Sequence, residues 1–211
     1  LPATNPTQPY DQWVKKSIHS SFKKLKINKA DTVLVHNAKF LLDTKMGKKI
    51  YEELKKFKKK NIIKNIGVSI YSINDLKNII KKFPMDVVLI SLNIFDQRIL
   101  NKKIINTLKR KNIKIYTRST FLQGLLLMSK NKIPAKFNRW KKKFDMWFRE
   151  LEDKKVSAYD ACLDFVMKNK DVDKTLIGID DFKQFKEIFK DKPKININYK
   201  KFNSNKINKL I

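Results

Sequence analysis

Residues 32–36 read Thr32-Val33-Leu34-Val35-His36, a β-branched and apolar run that ends in a histidine. Four further runs of the same kind follow along the chain: Asn65–Ser69, Val87–Asn93, Lys114–Ser119 and Thr175–Ile179. None of them alternates cleanly between apolar and polar residues, which is typical of parallel strands buried on both faces. The five runs therefore predict five parallel strands.

Amphipathic segments with helical spacing of their apolar residues separate the predicted strands. These segments are Tyr10–Leu25, Met46–Lys60, Ile73–Phe83, Leu100–Lys111, Ser157–Lys168 and Asp181–Lys190. Their alternation with the strands predicts an α/β fold with a parallel sheet. About 55 residues separate the fourth and fifth runs, and they hold an extra predicted helix at Asn138–Lys154.

The length of 211 residues suits one well-buried domain. We place that domain at residues 1–192 and expect a tail at 193–211 that is loosely packed or partly disordered, because Lys and Asn dominate it. No apolar run approaches the roughly 20 residues that cross a bilayer. The single Cys162 suits a reducing compartment. We therefore expect a cytoplasmic protein with no membrane partner.

The net charge of +29 makes nucleic acid a candidate partner. Only five of the 49 basic residues are Arg, so 49 − 5 = 44 are Lys. Arg is the residue that hydrogen-bonds to base edges and binds one phosphate through two parallel hydrogen bonds, so its scarcity weakens the nucleic-acid interpretation. The lysines also accompany many Asn and Ile residues, which share AT-rich codons. We expect codon composition to explain the charge, and a basic nucleic-acid-binding module stays an alternative.

Two kinds of site are excluded by scarce residue types. Four glycines are too few and too widely spaced for a G-x-G-x-x-G or Walker loop. The two histidines, His19 and His36, belong to no cluster with metal-ligand spacing. His19 lies among polar helix positions and is interpreted as a surface residue. His36 closes a predicted strand, at the edge where parallel barrels build active sites, although a lone histidine there is more often structural.

The ends of the other predicted strands carry a series of short motifs. The second ends in Gly67-Val68-Ser69, the third reaches Asn93, the fourth enters Ser119–Gly124, and the fifth enters Gly178–Glu187. In order and spacing this series resembles the aldo-keto reductase family. It matches the family's catalytic-histidine strand, its G-V-S strand, its strand ending near Asn, its S-x-L-x-x-G loop and its G-x-x-x-x-x-Q-x-x-E loop. The resemblance covers roughly residues 10–190.

The resemblance implies a partial TIM (β/α)₈ barrel and an oxidoreductase that uses NADPH or NADH on a small carbonyl substrate. It implies that His36 is catalytic and orients the carbonyl, where a donor stabilises the developing alkoxide. Ser69 and Asn93 would contact the nicotinamide. The remaining implied cofactor residues are Ser119, Phe121, Leu122 and Gly124 near the pyrophosphate, and Gly178, Asp180, Lys183, Gln184 and Glu187 towards the adenosine ribose.

Three positions depart from the family's pattern: Ile70 replaces an Asn, Leu89 a Gln and Arg118 an aromatic residue. The family's catalytic Asp, Tyr and Lys belong to barrel units that would precede the units found here. Five strands cannot close an eight-stranded barrel, so we expect a C-terminal fragment that is inactive alone. A non-catalytic, cofactor-binding relative of the family is the alternative interpretation.

Overall fold

The structure is a computed structural model that describes residues 1–6, 9–190 and 194–204, without the side chain of Lys183. Its strands are β1 (Ala30–Val35), β2 (Ile63–Ile70), β3 (Val87–Ser91), β4 (Lys114–Arg118) and β5 (Lys174–Thr175). Its α-helices are α1 (Tyr10–Leu25), α2 (Lys39–Leu42), α3 (Thr44–Lys59), α4 (Ile73–Lys82), α5 (Lys102–Arg110), α6 (Lys141–Lys154), α7 (Ala158–Met167) and α8 (Phe182–Phe189).

The strands follow one another in chain order within a single five-stranded sheet. The pairs β1–β2, β2–β3 and β4–β5 are parallel, with Val35 opposite Val68 and Gly67 opposite Val87. Helices connect successive strands, as parallel pairing requires. The prediction of an α/β fold with five parallel strands is confirmed.

The described residues form two compact units. Unit 1 holds residues 1–90 and 106–115, and unit 2 holds residues 91–105 and the described residues from 116 onward.

In unit 1 the core lies where the helices cover β1 to β3. Ile50, Leu54 and Phe57 recur along one face of α3 and are buried. Asp43 begins that helix, because its carboxylate accepts a hydrogen bond from Met46 N at 2.7 Å. The helix therefore starts two residues before the predicted Met46. Nearly every side chain of β2 and β3 is buried, which explains their lack of polar alternation.

In unit 2 aromatic side chains form the core. The ring of Phe95 lies 5.3 Å from that of Phe144, and the ring of Trp147 lies 5.6 Å from that of Phe202. The buried indole N–H of Trp147 donates to Leu126 O at 3.2 Å, so its one polar group is satisfied. The extra helix predicted at Asn138–Lys154 is thus a core element, formed by a 3₁₀ helix at Ala135–Trp140 and by α6.

The expectation that the tail at 193–211 is loosely packed or partly disordered is wrong for residues 194–204. Ile195, Ile197 and Phe202 are buried, and the hydroxyl of Tyr199 donates to Asp164 at 2.8 Å. Gln97 donates its side-chain N–H groups to Ile94 O at 2.8 Å and to Tyr199 O at 2.7 Å. The alternating apolar residues supply enough buried surface to hold the segment despite its lysines. The remaining tail residues lie outside the described part, and the boundary at 192 stays a prediction.

The fifth strand is shorter than the predicted Thr175–Ile179. It pairs with β4 only as far as Thr117 opposite Thr175, after which Leu176 N donates to Thr117 O at 2.7 Å. Ser119, the residue after β4, then takes a left-handed conformation with φ 64°. The backbone beyond β4 therefore no longer pairs with the segment that follows Thr175. Leu176 and Ile179 are consequently exposed rather than packed.

Candidate functional site

His36 and Ser69 lie at the C-terminal ends of neighbouring strands in unit 1. Because Val35 stands opposite Val68, the next residues of the two strands are His36 and Ser69. The His36 side chain is exposed, and its Nε2 lies 3.5 Å from the hydroxyl of Tyr71, which follows β2. Sequence reasoning missed Tyr71, because a tyrosine after a strand belongs to no motif that we recognised.

Ser69 carries a buried polar atom that the described residues leave unsatisfied. The side chain is 1% exposed, and its Oγ has no hydrogen-bond partner among them. A buried hydroxyl without a partner costs about 1–3 kcal/mol, so such atoms are uncommon unless something else satisfies them.

In unit 2 the loop after β4 has an unusual backbone. Four of its residues lie in the left-handed region: Ser119 (φ 64°), Leu122 (49°), Gln123 (57°) and Gly124 (82°). Only Gly adopts this region without steric cost, and such conformations in non-glycine residues concentrate at binding sites. Left-handed residues in a turn also direct successive N–H groups to one side, which creates concavities for anions.

Hydrogen-bond donors are available in this loop. The backbone N–H groups of Phe121, Gln123 and Gly124 have no hydrogen-bond partner among the described residues. The guanidinium of Arg118 donates to Ser119 Oγ at 3.2 Å. Since that oxygen accepts from Arg118, the hydroxyl hydrogen of Ser119 is directed elsewhere and can serve another acceptor.

A cavity of about 480 Å³ adjoins this loop, within the range of small-molecule sites. It brings together six of the predicted cofactor residues with apolar neighbours. The predicted residues in its lining are Ser119, Phe121, Gly124, Gly178, Asp180 and Gln184.

Tyr159, on α7, also lines the cavity and was missed by sequence reasoning. Its ring stacks on Phe121 with centroids 5.1 Å apart, and its hydroxyl donates to Gln184 O at 3.3 Å. Burial, reinforced by the charge of Glu187, raises the pKa of the Tyr159 hydroxyl. A tyrosine in an amphipathic helix gives no sequence signal beyond a core position, which is why it escaped notice.

Three predicted residues of unit 2 do not line the cavity. Asn93 is fully buried: its Oδ1 accepts from Phe95 N and Asp96 N, and its Nδ2 donates to Ser119 O at 3.2 Å. Its amide therefore holds the loop and is not directed at a ligand. Leu122 is buried, and its N–H donates to Ser119 O at 2.9 Å. Glu187 forms an ion pair with Lys190 on the surface of α8.

The segment after β5 completes the cavity lining. Asp181 caps α8 by accepting from Gln184 N at 2.8 Å, and Gln184 Oε1 accepts from Asp180 N at 3.0 Å. These two bonds fix the turn that carries Asp180. Lys183 lies in the first turn of α8, and its side chain is outside the described part.

The described residues contain no group of three or more His, Cys, Asp or Glu side chains placed to hold a metal ion. Within the same residues, no helix has the length and apolar character needed to cross a membrane.

Strand–helix units with polar groups and a cavity at the strand ends define a protein of the (β/α)₈-barrel class. The family model of the aldo/keto reductases matches residues 2–205. The chain belongs to the aldo/keto reductase family, a family of oxidoreductases. Comparison with curated protein sequences gives no match.

Solved structures of this family have a similar fold. An aldo-keto reductase of Bacillus halodurans in its holo form is 14% identical, with a TM-score of 0.66 over 86% of this chain and 62% of its own. A glycerol dehydrogenase of Gluconobacter oxydans is 19% identical, with a TM-score of 0.64 over 90% of this chain and 62% of its own. The chain thus spans less than two thirds of the length of these relatives.

Proposed function

We propose that the chain supplies the cofactor-binding and carbonyl-orienting part of an NADPH- or NADH-dependent reductase of small carbonyl compounds. The loop after β4 supports this proposal best. Its left-handed residues, its available N–H groups and the Ser119 hydroxyl adjoin a cavity whose volume lies within the range of small-molecule sites. Such donors suit the oxygens of a diphosphate.

Each lining segment would have its own part in binding. Ser119 and the N–H groups of Phe121 and Gly124 would hold the diphosphate, and Asn93 would act through the position of Ser119. Gly178, Asp180 and Gln184, which line the cavity, would surround the adenosine ribose, with Lys183 as a further predicted member. The phenol of Tyr159, stacked on Phe121, would keep the two lining segments in place.

The residues in unit 1 would serve the nicotinamide end and the substrate. The unsatisfied hydroxyl of Ser69 would bond the carboxamide. The cofactor, when bound, supplies hydride to the carbonyl carbon. His36 would donate a hydrogen bond to the carbonyl oxygen, which gains negative charge as the hydride arrives.

We propose further that the catalytic Asp, Tyr and Lys of the family lie outside residues 1–211. A closed barrel of this class has eight strands, whereas the described residues contribute five. The chain alone would then bind the cofactor without turning over a carbonyl substrate.

Binding of NADPH and NADH to the chain of residues 1–211, followed by nicotinamide fluorescence or calorimetry, tests the proposal. We expect Ser119→Ala to weaken binding about tenfold, because it removes a hydrogen bond to a charged group. Ser129→Ala is the matched control, since Ser129 is exposed and does not line the cavity. A wild-type chain that is folded and binds neither nucleotide would contradict the proposed function.

A further inference from the structure

Residues 97–144 form a stretch of 48 residues that contains no Asp or Glu. Fifteen of them are Lys or Arg, and they include four of the five arginines of the chain: Arg98, Arg110, Arg118 and Arg139. A codon bias towards lysine enriches the whole chain in that residue, but it does not remove carboxylates from one stretch. The most basic part is residues 130–143, which we call the basic segment and which carry seven positive charges.

The basic segment is a surface element of unit 2. It consists of two 3₁₀ helices, at Lys130–Lys132 and Ala135–Trp140, and of the first turn of α6. Both 3₁₀ helices contact α6, so the segment is folded back on that helix. Its positive charges are therefore gathered on a compact element and are not strung along an extended chain.

Four lysines of the basic segment are exposed and lack an ion-pair partner. Lys130 pairs with Asp145 at 2.9 Å, and Lys143 donates to Phe202 O at 3.2 Å, so these two lysines serve the protein itself. The remaining basic side chains of the segment are exposed to solvent: Lys132, Lys136, Arg139, Lys141 and Lys142. The four lysines in that list form no ion pair within the described part of the chain.

The first turn of α6 places lysines where they reduce stability. Lys141, Lys142 and Lys143 are its first three residues, and neither an acidic residue in that turn nor a side-chain cap at Trp140 offsets them. The N-terminal end of a helix carries a partial positive charge, so a cation there costs up to about 1 kcal/mol. A bound polyanion would offset this repulsion, whereas folding alone gives no reason for it.

Planar groups lie among the exposed charges. The guanidinium carbon of Arg139 lies over the ring of Trp140, 3.6 Å from its centroid. Lys136 Nζ lies 5.1 Å from the ring centroid of Phe137, whose side chain is partly exposed. A guanidinium plane and an exposed aromatic ring are surfaces on which unpaired bases stack.

We propose that the basic segment binds single-stranded nucleic acid. The exposed lysines would contact its phosphates, while Arg139 and Phe137 would stack against its bases. An acidic protein or a membrane offers negative charge but no planar bases, so the stacking groups favour nucleic acid among polyanions. None of these residues lines the cavity of unit 2, so the binding activity is separate from the proposed function.

The test measures binding of a fluorescein-labelled single-stranded oligonucleotide of mixed sequence to the full chain by fluorescence anisotropy. The segment variant replaces the four exposed lysines: Lys132→Gln, Lys136→Gln, Lys141→Gln and Lys142→Gln. We expect binding to weaken at least about tenfold. The slope of log Kd against log[NaCl] should fall by about 3, because each lost phosphate contact accounts for about 0.7 of it.

A second variant removes the same charge elsewhere and is the matched control. It replaces exposed lysines of α1 and of the residue that follows it: Lys16→Gln, Lys23→Gln, Lys24→Gln and Lys26→Gln. Both variants have a net charge of 29 − 4 = +25, so the charge of the whole protein is reduced equally. The control variant should keep nearly the wild-type affinity.

Two further measurements separate a binding site from an effect on folding. The Tm of the segment variant, measured without oligonucleotide, should stay the same or rise, because two like charges leave the first turn of α6. Phe137→Leu keeps an apolar side chain and every charge, and it should weaken binding about tenfold because a stacked base is lost.

Equal loss of affinity in the segment and control variants would show that only the net charge of the chain matters, and would overturn the proposal. Wild-type affinity in Phe137→Leu would also overturn it, and binding of phosphatidylserine vesicles through the same lysines would then identify a general anion surface. A wild-type chain that binds no oligonucleotide at about 50 mM NaCl would do the same. NADPH is absent from these measurements, so their outcome leaves the proposed function untouched.

Discussion

Gly67 shows how closely the strands of unit 1 approach one another. It stands opposite Leu34 on β1 and Val87 on β3. A Cβ at this position would lie 2.6 Å from Leu34 Cδ2 and 2.8 Å from Val87 O, both well inside van der Waals contact. The absence of a side chain at Gly67 therefore allows the two flanking strands to pair with β2 at the same level.

We expect Gly67→Ala to lower the free energy of unfolding by about 1–3 kcal/mol, the usual cost of overpacking a core. Gly178→Ala is the control, because a Cβ there meets no atom within 4 Å, and we expect a change within about 0.5 kcal/mol. Urea unfolding of both variants measures the difference. Equal stability of the two alanine variants would show that β1 and β3 move apart without cost.

At the level of residues, the sequence predicted the groups that follow strands and missed those on other elements. Ser119 and Gly178 could be found because strand ends can be located from hydrophobic runs. Tyr159 could not, since its place in the cavity lining depends on a ring contact made in three dimensions. Asn93 was predicted as a cofactor residue, but its side-chain amide donates to Ser119 O and so holds the loop after β4 in place.

Among the elements, α3 depends on one capping side chain. Asp43 accepts from Met46 N at 2.7 Å, at the end of the helix where backbone N–H groups lack partners. We expect Asp43→Ala to lower the free energy of unfolding by about 1 kcal/mol, and Asp43→Asn, which keeps the acceptor, to have a much smaller effect. Chemical denaturation monitored by circular dichroism provides the measurement. If Asn were as destabilising as Ala, the negative charge rather than the hydrogen bond would be the stabilising feature.

Element positions were predicted well wherever local periodicity decides them. Helix α1 begins and ends as predicted, and α4, α5, α7 and α8 differ only by a residue or two at their ends. The prediction failed for β5, because the length of a strand depends on how far its partner remains extended. The left-handed Ser119 ends the ladder there, and the sequence of residues 175–179 contains no sign of it.

For the whole molecule, a net charge of +29 means that like charges repel one another over most of the surface. We expect Tm at pH 7 to rise when NaCl is increased from 10 to 100 mM, because the screening length falls from roughly 30 Å to about 10 Å. Near pH 10.1, the isoelectric point, the same addition should have a much smaller effect. Thermal unfolding at the two pH values provides the comparison. A Tm that falls with salt at pH 7 would mean that the ion pairs outweigh the repulsion.

The order of the whole sheet was predictable because each strand–helix unit is local in sequence. The packing of residues 194–204 was not, since its contacts join positions far apart in the chain. Lysine-rich composition favoured a loose tail, whereas Ile195, Ile197 and Phe202 are buried in unit 2. Composition describes the average residue of a segment, but a few apolar side chains at regular intervals decide whether it packs.

The bond from Gln97 to Tyr199 joins residues 102 positions apart, and this separation has a consequence during synthesis. Translation at about 5–20 residues per second needs roughly 5–20 seconds to add the intervening residues. Over that interval Phe95 has left the ribosome, but the aromatic partners that complete its surroundings have not all been made. Unit 2 can finish folding only after residue 202 has emerged, and until then its nascent form exposes aromatic side chains that chaperones bind.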